Sequence, residues 1–168
     1  MVSDPAPPPE PVDPGMVRHF TATGYVVNPT RTRMLLIHHR KLGLWLPPGG
    51  HLEPNEVPHH AALREVWEET GVRARLIPSG EPLVGEPGTG VFQLPRPWGM
   101  LHENIPATPT EPAHVHLDLC YLLQADDHHP LHAQEGEVSG VRWWDRDAIT
   151  ATTGTDTAVQ SFAGTHLR

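Results

Sequence analysis

Residues 50–72 of this 168-residue chain read GHLEPNEVPHHAALREVWEETGV. The stretch carries the clearest helix signal in the sequence and predicts a helix over Pro58–Thr70. A proline suits the first position of a helix, and Gly71 suits the position just past its end. The residue at the N-cap is Val57, whose side chain cannot accept a hydrogen bond from the first turn. We therefore expect a helix with a well-marked end and a poorly marked start.

Three glutamates lie close together on one face of this predicted helix. At about 100° per residue, Glu65, Glu68 and Glu69 span an arc of about 100°. The apolar residues on the other side can pack on a sheet, namely Ala62, Leu63, Val66 and Trp67. Carboxylates at these spacings repel one another, and the helix dipole disfavours anions in the last turns. A divalent cation between them would remove the repulsion, whereas the alternative is a solvated acidic helix face.

The neighbouring residues complete a longer pattern: Gly, five residues, Glu, seven residues, and then Arg-Glu-aliphatic-any-Glu-Glu-any-Gly-aliphatic. The matching positions are Gly50, Glu56, Arg64, Glu65, Val66, Glu68, Glu69, Gly71 and Val72. In these positions the chain resembles the Nudix box. It departs from the usual box at Asn55, where a glycine is common, but asparagine tolerates a left-handed backbone better than most residues.

The resemblance implies an α/β (α+β) fold, a Nudix-type three-layer αβα sandwich with a central mixed β-sheet. The box then forms a loop–helix–loop that holds Mg²⁺ or Mn²⁺, ions that suit carboxylate oxygens. Glu65, Glu68 and Glu69 match the metal-binding and catalytic carboxylates, and the carbonyl of Gly49 matches a frequent backbone ligand. The remaining box residues match structural positions, which are the salt bridge of Glu56 with Arg64 and the backbone sites Gly50 and Gly71.

The resemblance also implies hydrolysis of a nucleoside diphosphate linked to another moiety, such as a nucleoside triphosphate or a nucleotide sugar. The protein would be a hydrolase acting on phosphorus-containing acid anhydrides, with a nucleotide-type small molecule as its substrate. Attack of water on a pyrophosphate requires an activated water and neutralised phosphate charge, and cations held by three glutamates meet both needs. The alternative is a non-catalytic Nudix-fold module that senses a nucleotide, although such modules usually lack one or more box glutamates.

Two further candidates lie outside the box. His114, His116 and Asp118 alternate along a predicted strand, His114–Gln124, and so share one face. They could line the substrate cleft or bind a second metal, but a zinc site would need a fourth ligand. A histidine-based zinc-binding protein is therefore the third functional hypothesis. In many members of the family a carboxylate from outside the box assists the base or the metal, and Glu137 is the first candidate for this role. The alternative is a solvated loop acid.

The rest of the chain predicts a single domain with a Pro-rich arm. Six of the twenty prolines fall within residues 1–14, so we predict a disordered arm over residues 1–16 and one domain over residues 17–168. Residues 47–50, two prolines and two glycines, are expected to interrupt regular structure. Strands are predicted over residues 20–27, 33–38, 72–77, 91–94, 98–101 and 138–144, with a short helix from Asp145 and no element after it.

Composition excludes several classes of protein. The single cysteine, Cys120, rules out an internal disulfide and a cysteine-based zinc knuckle. The net charge of −8 argues against binding a nucleic acid duplex, although a bound cation can bring a phosphorylated ligand to an acidic protein. There is no apolar leader and no run of about eighteen apolar residues, so we expect a cytoplasmic protein with no membrane partner. A homodimer is left open.

Overall fold

The computed structural model describes residues 15–78, 90 and 92–168, so the predicted arm lies outside the described residues apart from residues 15 and 16. These ranges hold eight strands and three helices: β1 Val17–Val27, β2 Arg33–His39, β3 Leu44–Leu46, β4 Gly49–His51, α1 Pro58–Thr70, β5 Arg75–Leu76, β6 Gly99–Ile105, β7 His114–Gln124, β8 Val138–Asp145, α2 Arg146–Ala151 and α3 Thr157–His166. Within the described ranges, no helix combines the length and the apolar composition needed to cross a membrane.

Two long strands form the centre of a mixed sheet. β1 and β7 run parallel, from Val17 opposite His114 to Val27 opposite Gln124. Antiparallel neighbours extend the sheet on both sides: β2 and β4 pair with β1, β5 and β6 pair with β7, and β3 and β8 pair with β2. The central mixed sheet that the resemblance implies is therefore confirmed.

Helices cover both faces of this sheet. α1 packs on one face through Ala62 and Val66, while α2 and α3 pack on the other through Ile149, Val159, Phe162 and Ala163. The strands alternate between the two cores, because successive side chains point to opposite faces. In β7, Cys120 lies on the α2–α3 side and Tyr121 lies on the α1 side. The three-layer αβα arrangement is confirmed.

The strand signals between the box and β7 are only partly matched by the structure. α1 and β7 have the predicted bounds, but the strand expected over residues 72–77 is reduced to Arg75–Leu76. The strand expected over residues 91–94 is wrong for residues 92–94, which have no regular structure, and Val91 lies outside the described residues. The strand expected over residues 98–101 is β6, which extends to Ile105.

The C-terminal helix α3 is absent from the sequence prediction. Its N-cap is Asp156, whose side chain accepts a hydrogen bond from the backbone N–H of Val159 at 2.8 Å. Val159, Phe162 and Ala163 are buried, and their i, i+3, i+4 spacing is the signal that marks an amphipathic helix. Asp145 caps α2 in the same way, and this short helix with its cap is where the sequence predicts it.

The predicted break at residues 47–50 is also partly wrong. Gly49 and Gly50 belong to β4, which pairs antiparallel with β1. A Cβ atom on Gly49 would lie 2.5 Å from Oγ1 of Thr23, so only glycine allows the two backbones to approach this closely. Such a strand has no alternating side-chain pattern that could reveal it in the sequence.

Candidate active site

Two glycines fix the position of α1, one at its C-terminal end and one in the strand on which it packs. Gly71 has a φ of 70°, in the left-handed region, and its N–H donates to the carbonyl of Trp67 at 2.8 Å. Val57 provides no side-chain cap at the other end. A Cβ atom on Gly24 would lie 2.6 Å from Cγ2 of Val66, so the glycine lets the helix lie directly on β1. The backbone thus fixes where the helix presents its glutamates.

Arg64 links the loop before α1 to the acidic face of the helix. Its Nε and Nη2 donate to the two carboxylate oxygens of Glu56 at 2.9 and 2.8 Å. Its Nη1 donates to Glu65 at 2.7 Å and to Glu68 at 3.1 Å, and Nη2 also donates to the carbonyl of His51 at 3.1 Å. These hydrogen bonds lower the pKa of Glu56 and raise the pKa of Arg64. One guanidinium therefore positions two of the predicted metal ligands.

Glu65, Glu68 and Glu69, called here the carboxylate cluster, differ in their burial. Glu69 is only 3% exposed, and its Oε2 accepts a hydrogen bond from the N–H of Gly49 at 3.0 Å. Burial raises the pKa of Glu69 to about 8, and the negative charges of Glu65, Glu137 and Glu68 add to this effect. Burial likewise raises the pKa of Glu65. The cluster concentrates negative charge in a half-buried place, where a cation would stabilise it.

β4 approaches the carboxylate cluster through glycine. A Cβ atom on Gly50 would lie 2.5 Å from Oε1 of Glu65, so any larger residue would displace that carboxylate. Gly49 contacts Glu69 through its N–H group, and the metal-binding role of its carbonyl stays a prediction. Asn55, at the position where the box usually has glycine, has a φ of 67° and adopts the left-handed backbone. The departure from the usual box therefore preserves the loop conformation.

Glu137 lies near the carboxylate cluster although it belongs to the loop before β8. It is exposed, and its backbone carbonyl accepts a hydrogen bond from the N–H of Arg40 at 2.9 Å. Its negative charge adds to the effect of burial on the pKa of both Glu65 and Glu69. The structure thus brings a fourth carboxylate towards the cluster, and its catalytic role stays a prediction.

The three candidate residues of β7 lie on the face of the sheet opposite the carboxylate cluster. His114 and His116 are in phase with Cys120, on the α2–α3 side, whereas the carboxylate cluster belongs to α1. Their Nε2 atoms lie 3.1 Å apart. Buried Asp118 instead accepts hydrogen bonds from Thr21 Oγ1 at 2.9 Å and from Cys120 Sγ at 3.2 Å. The structure does not bring these three residues to the carboxylate cluster, and their place in a substrate cleft stays a prediction.

Two histidines missed by the sequence analysis lie beside this pair. Nδ1 of His19 is 3.2 Å from Nε2 of His51, and we call the four residues His19, His51, His114 and His116 the histidine cluster. One ring nitrogen from each of the four lies within 4.8 Å of the others. Burial, together with the other rings, lowers the pKa of His116 to about 4 and also lowers that of His51. Only the registers of β1 with β7 and with β4 could have revealed this grouping.

Glu103 is a second residue that the sequence did not single out. It belongs to β6, and burial raises its pKa to about 7, with further contributions from the negative charges of Asp118 and Asp156. Its Oε2 lies 3.8 Å from Nδ1 of His116. β6 has no regular alternation of apolar and polar residues, so no pattern in the sequence places this carboxylate beside the histidine cluster.

Comparison with known proteins agrees with this geometry. The family described as NUDIX domain matches residues 17–163. The m7GpppN-mRNA hydrolase NUDT17 of Bos taurus is 31% identical over 126 residues, which are 67% of this chain and 35% of that protein. Diphosphoinositol polyphosphate phosphohydrolase 3-alpha of Mus musculus is 56% identical over 32 residues, which are 19% of this chain and 20% of that protein.

A solved structure shares the fold over nearly the whole chain. It is a NUDIX family hydrolase from Clostridium perfringens, with a TM-score of 0.69 and 23% identity, covering 89% of this chain and 95% of that one. The chain spans only 35% and 20% of the lengths of the two curated relatives, so their whole activities are not carried over. The match over residues 17–163 includes both cores and the box. The chain therefore belongs to the Nudix hydrolase family.

Proposed function

We propose that the protein is a pyrophosphohydrolase that requires Mg²⁺ or Mn²⁺ and cleaves a nucleoside diphosphate linked to another moiety. One observation carries this proposal. Glu65, Glu68 and Glu69 meet at the C-terminal half of α1. Buried Glu69 accepts a hydrogen bond from the backbone of β4, and Glu65, Glu68 and Glu137 add negative charge around it. Arg64 offsets part of this charge at Glu65 and Glu68, and a bound cation would relieve the remaining repulsion.

The donor atoms of the carboxylate cluster fit a hard divalent cation. Its side chains offer only oxygen ligands, which suit Mg²⁺ and Mn²⁺. Glu69 is buried, whereas the side chain of Glu68 is 43% exposed. Mg²⁺ commonly uses one or two carboxylates and leaves its other positions to water and substrate phosphates. The exposed side of the cluster is where such a phosphate would enter.

The protein groups around the ion would have distinct tasks. When bound, the ion would lower the pKa of the attacking water and neutralise charge on the phosphate oxygens. Arg64 would keep Glu65 and Glu68 in a fixed geometry, because it donates a hydrogen bond to each. A carboxylate of the cluster, or Glu137 beside it, would accept the proton of the attacking water.

The substrate class rests on the chemistry that the relatives' names share. An mRNA cap hydrolase and a diphosphoinositol polyphosphate phosphohydrolase are both named for substrates that contain phosphoanhydride bonds. We place the substrate of this chain in the same chemical class and favour a nucleoside triphosphate or a nucleotide sugar. The acidic chain would depend on the cation to hold such an anion.

We also propose that residues 17–168 form one catalytic domain preceded by an arm over residues 1–16. The family match over residues 17–163 supports this division. The core on the α2–α3 side combines Val27 of β1 with Phe162 of α3, so the two ends of the domain pack in one core. The cytoplasmic location expected from the sequence stays a prediction.

The test is a panel of nucleoside triphosphates, nucleotide sugars, ADP-ribose and dinucleoside polyphosphates, assayed with Mg²⁺ for the wild type, Glu69→Gln and Glu53→Gln. We expect Glu69→Gln to lower kcat by about 10²- to 10³-fold, because it removes a charge that holds the ion. Exposed Glu53 is the matched control and should keep full activity. Equal rates for the wild type and Glu69→Gln would reject the proposed site.

The same panel tests the alternative of a nucleotide-sensing module. Such a module would bind one of these compounds in the presence of Mg²⁺ but release no product at any enzyme concentration. Isothermal titration calorimetry with each compound separates the two cases. Binding without turnover in the wild type would replace the hydrolase proposal by the sensing function.

A further inference from the structure

The histidine cluster draws four imidazoles from three strands of the sheet. His19 lies on β1, His51 lies on β4, and His114 and His116 lie on β7. The parallel register sets His19 opposite His116, and the antiparallel register sets His51 opposite Thr21, two residues from His19. Cross-strand neighbours on one face are close enough for their side chains to meet. The backbone pairing of β1 with both neighbours therefore holds the four rings together.

The spacing of the ring nitrogens is that of ligands around one small ion. A tetrahedral zinc ion with Zn–N bonds of about 2.0–2.1 Å separates its ligand atoms by about 3.3 Å. Nδ1 of His19 and Nε2 of His51 are 3.2 Å apart, and the Nε2 atoms of His114 and His116 are 3.1 Å apart. Two distances close to the edge of such a tetrahedron are therefore present, and one ring nitrogen from each of the four residues lies within 4.8 Å of the others.

Outer contacts turn two of the rings towards a shared centre. Nδ1 of His114 lies 2.9 Å from the carbonyl of Pro112 and donates a hydrogen bond to it, which leaves Nε2 of that ring with a lone pair. Nδ1 of His116 faces the carboxylate of Glu103 at 3.8 Å. Carbonyl and carboxylate partners of this kind orient histidines that ligate metals. Without an ion, the two Nε2 atoms can share a hydrogen bond when His116 carries its proton on Nε2. With that proton on Nδ1, towards Glu103, both Nε2 atoms would offer lone pairs to a cation.

We propose that the histidine cluster binds one Zn²⁺ ion, separate from the ion of the carboxylate cluster. Imidazole nitrogen is a ligand for zinc and related transition ions but not for Mg²⁺. Four protein ligands complete a tetrahedral site and leave no position for a substrate, so the ion is structural. His19 of β1 and His51 of β4 supply the third and fourth ligands. Asp118 is not a ligand, because it is hydrogen-bonded to Thr21 and Cys120.

The proposed ion would also hold β4 in place. His51 follows Gly50, where an added Cβ atom would meet the Glu65 carboxylate on the opposite face. An ion bound to His51 would tie this short strand to β7 in addition to its backbone pairing with β1. The zinc site would thus support the carboxylate cluster from the other side of the sheet without contacting it.

The test uses full-length protein without a polyhistidine tag. The protein is treated with a chelator, incubated with Zn²⁺ and passed through a desalting column, and its zinc content is measured by elemental analysis. We expect one zinc ion per chain in the wild type and none in the His19→Asn/His116→Asn variant. The matched control is His128→Asn/His129→Asn, which removes two exposed histidines and should keep the ion.

Three results would overturn the proposal. One is equal zinc content in the wild type and the His19→Asn/His116→Asn variant. The second is loss of zinc in the control, which would place the ion at the partly exposed group formed by Asp126, Asp127 and His128. The third is loss of zinc in Glu69→Gln, which would place it in the carboxylate cluster. No nucleotide is present, so the outcome is independent of the proposed hydrolase activity.

A spectroscopic experiment keeps the proposal testable if the double variant fails to fold. Co²⁺ replaces Zn²⁺, and a tetrahedral site gives Co²⁺ strong visible absorption, whereas an octahedral oxygen site gives weak absorption. The single variant His51→Asn removes the exposed ring and should weaken Co²⁺ binding by at least about tenfold, since even the loss of an outer contact to a ligand has this effect. Weak absorption in the wild type would contradict the site.

Discussion

Gly50 and His51 are consecutive residues of β4, yet they lie at two different candidate metal sites. Gly50 lies against the carboxylate cluster, and His51 belongs to the histidine cluster on the other face of the sheet. The first cluster offers oxygens from a single helix, while the second offers nitrogens from three strands. The comparison teaches that one fold can present a hard and a borderline ligand set on the two faces of the same strand.

The largest expected effect that separates the two clusters comes from Gly50→Ala. The new Cβ atom would displace the carboxylate of Glu65, which is the flexible end of a side chain. We expect a drop in kcat of about 10²-fold, because a displacement of about 1 Å at a site can cost this much. Zinc content should be unchanged, since His51 keeps its own side chain.

Gly99→Ala is the matched control for this experiment. Gly99 lies in β6, and a Cβ atom there would have no heavy atom within 4 Å. Both variants should keep the wild-type Tm within a few degrees, as measured by circular dichroism. Full activity in Gly50→Ala would show that the position of Glu65 does not control the reaction.

Arg64→Lys should have an intermediate effect on the carboxylate cluster. Lysine cannot reproduce the paired hydrogen bonds of Arg64 to Glu56 together with those to Glu65 and Glu68. We expect kcat to fall by about tenfold and the free energy of unfolding by about 1–2 kcal/mol, since the arginine is partly exposed. Urea unfolding and steady-state kinetics measure the two effects.

Arg33→Lys is the corresponding control. Arg33 forms a surface ion pair with Asp127 at 3.4 Å, and its side chain is 54% exposed. Its replacement should leave both kcat and the free energy of unfolding close to the wild-type values. A similar loss of kcat and of unfolding free energy in both variants would mean that the hydrogen bonds of Arg64 contribute no more than an ordinary surface ion pair.

A third difference between the two clusters is a pH dependence of stability with opposite signs. In metal-free protein, the pKa of Glu69 is raised to about 8, so its contribution to stability falls as the pH rises from about 4.5 to 8. The pKa of His116 is lowered to about 4, so its contribution falls as the pH decreases from about 6.5 to 4.

Urea unfolding in the presence of a chelator measures both effects. Relative to the wild type, Glu69→Gln should gain stability as the pH increases from 5 to 8, because glutamine has no charge to bury. His116→Asn should gain relative stability in the opposite direction, as the pH decreases from 7 to 5. Parallel pH profiles for the two variants would contradict the proposed electrostatic difference between the clusters.

Local signals were sufficient for α1 and the box. Pro58 and Gly71 mark the ends of the helix, and the spacing of Glu65, Glu68 and Glu69 within one element predicts their proximity. β7 was predicted with its bounds because His114–Gln124 alternates regularly. In these cases the information lies within a dozen or so neighbouring residues, which is the range over which helix and strand periodicity acts.

Other features depend on contacts between distant parts of the chain. Gly49 and Gly50 form a strand only because β1 lies beside them. His19 and His51 lie beside His114 and His116 because of strand registers that no local pattern specifies. α3 is an intermediate case, since its cap at Asp156 and its buried stripe are local but weak. Tertiary pairing therefore decided what the sequence analysis missed.

The parallel pairing of β1 with β7 also has a consequence for folding. Thr21 and Asp118, which are hydrogen-bonded across these strands, lie 97 residues apart in the chain, whereas Gly49 and Glu69 lie 20 residues apart. Closing the longer loop costs more entropy, and such contacts form slowly. During synthesis the elements around the carboxylate cluster would leave the ribosome well before β7. A chain that stops short of β7 could form α1 but would have only two of the four histidines.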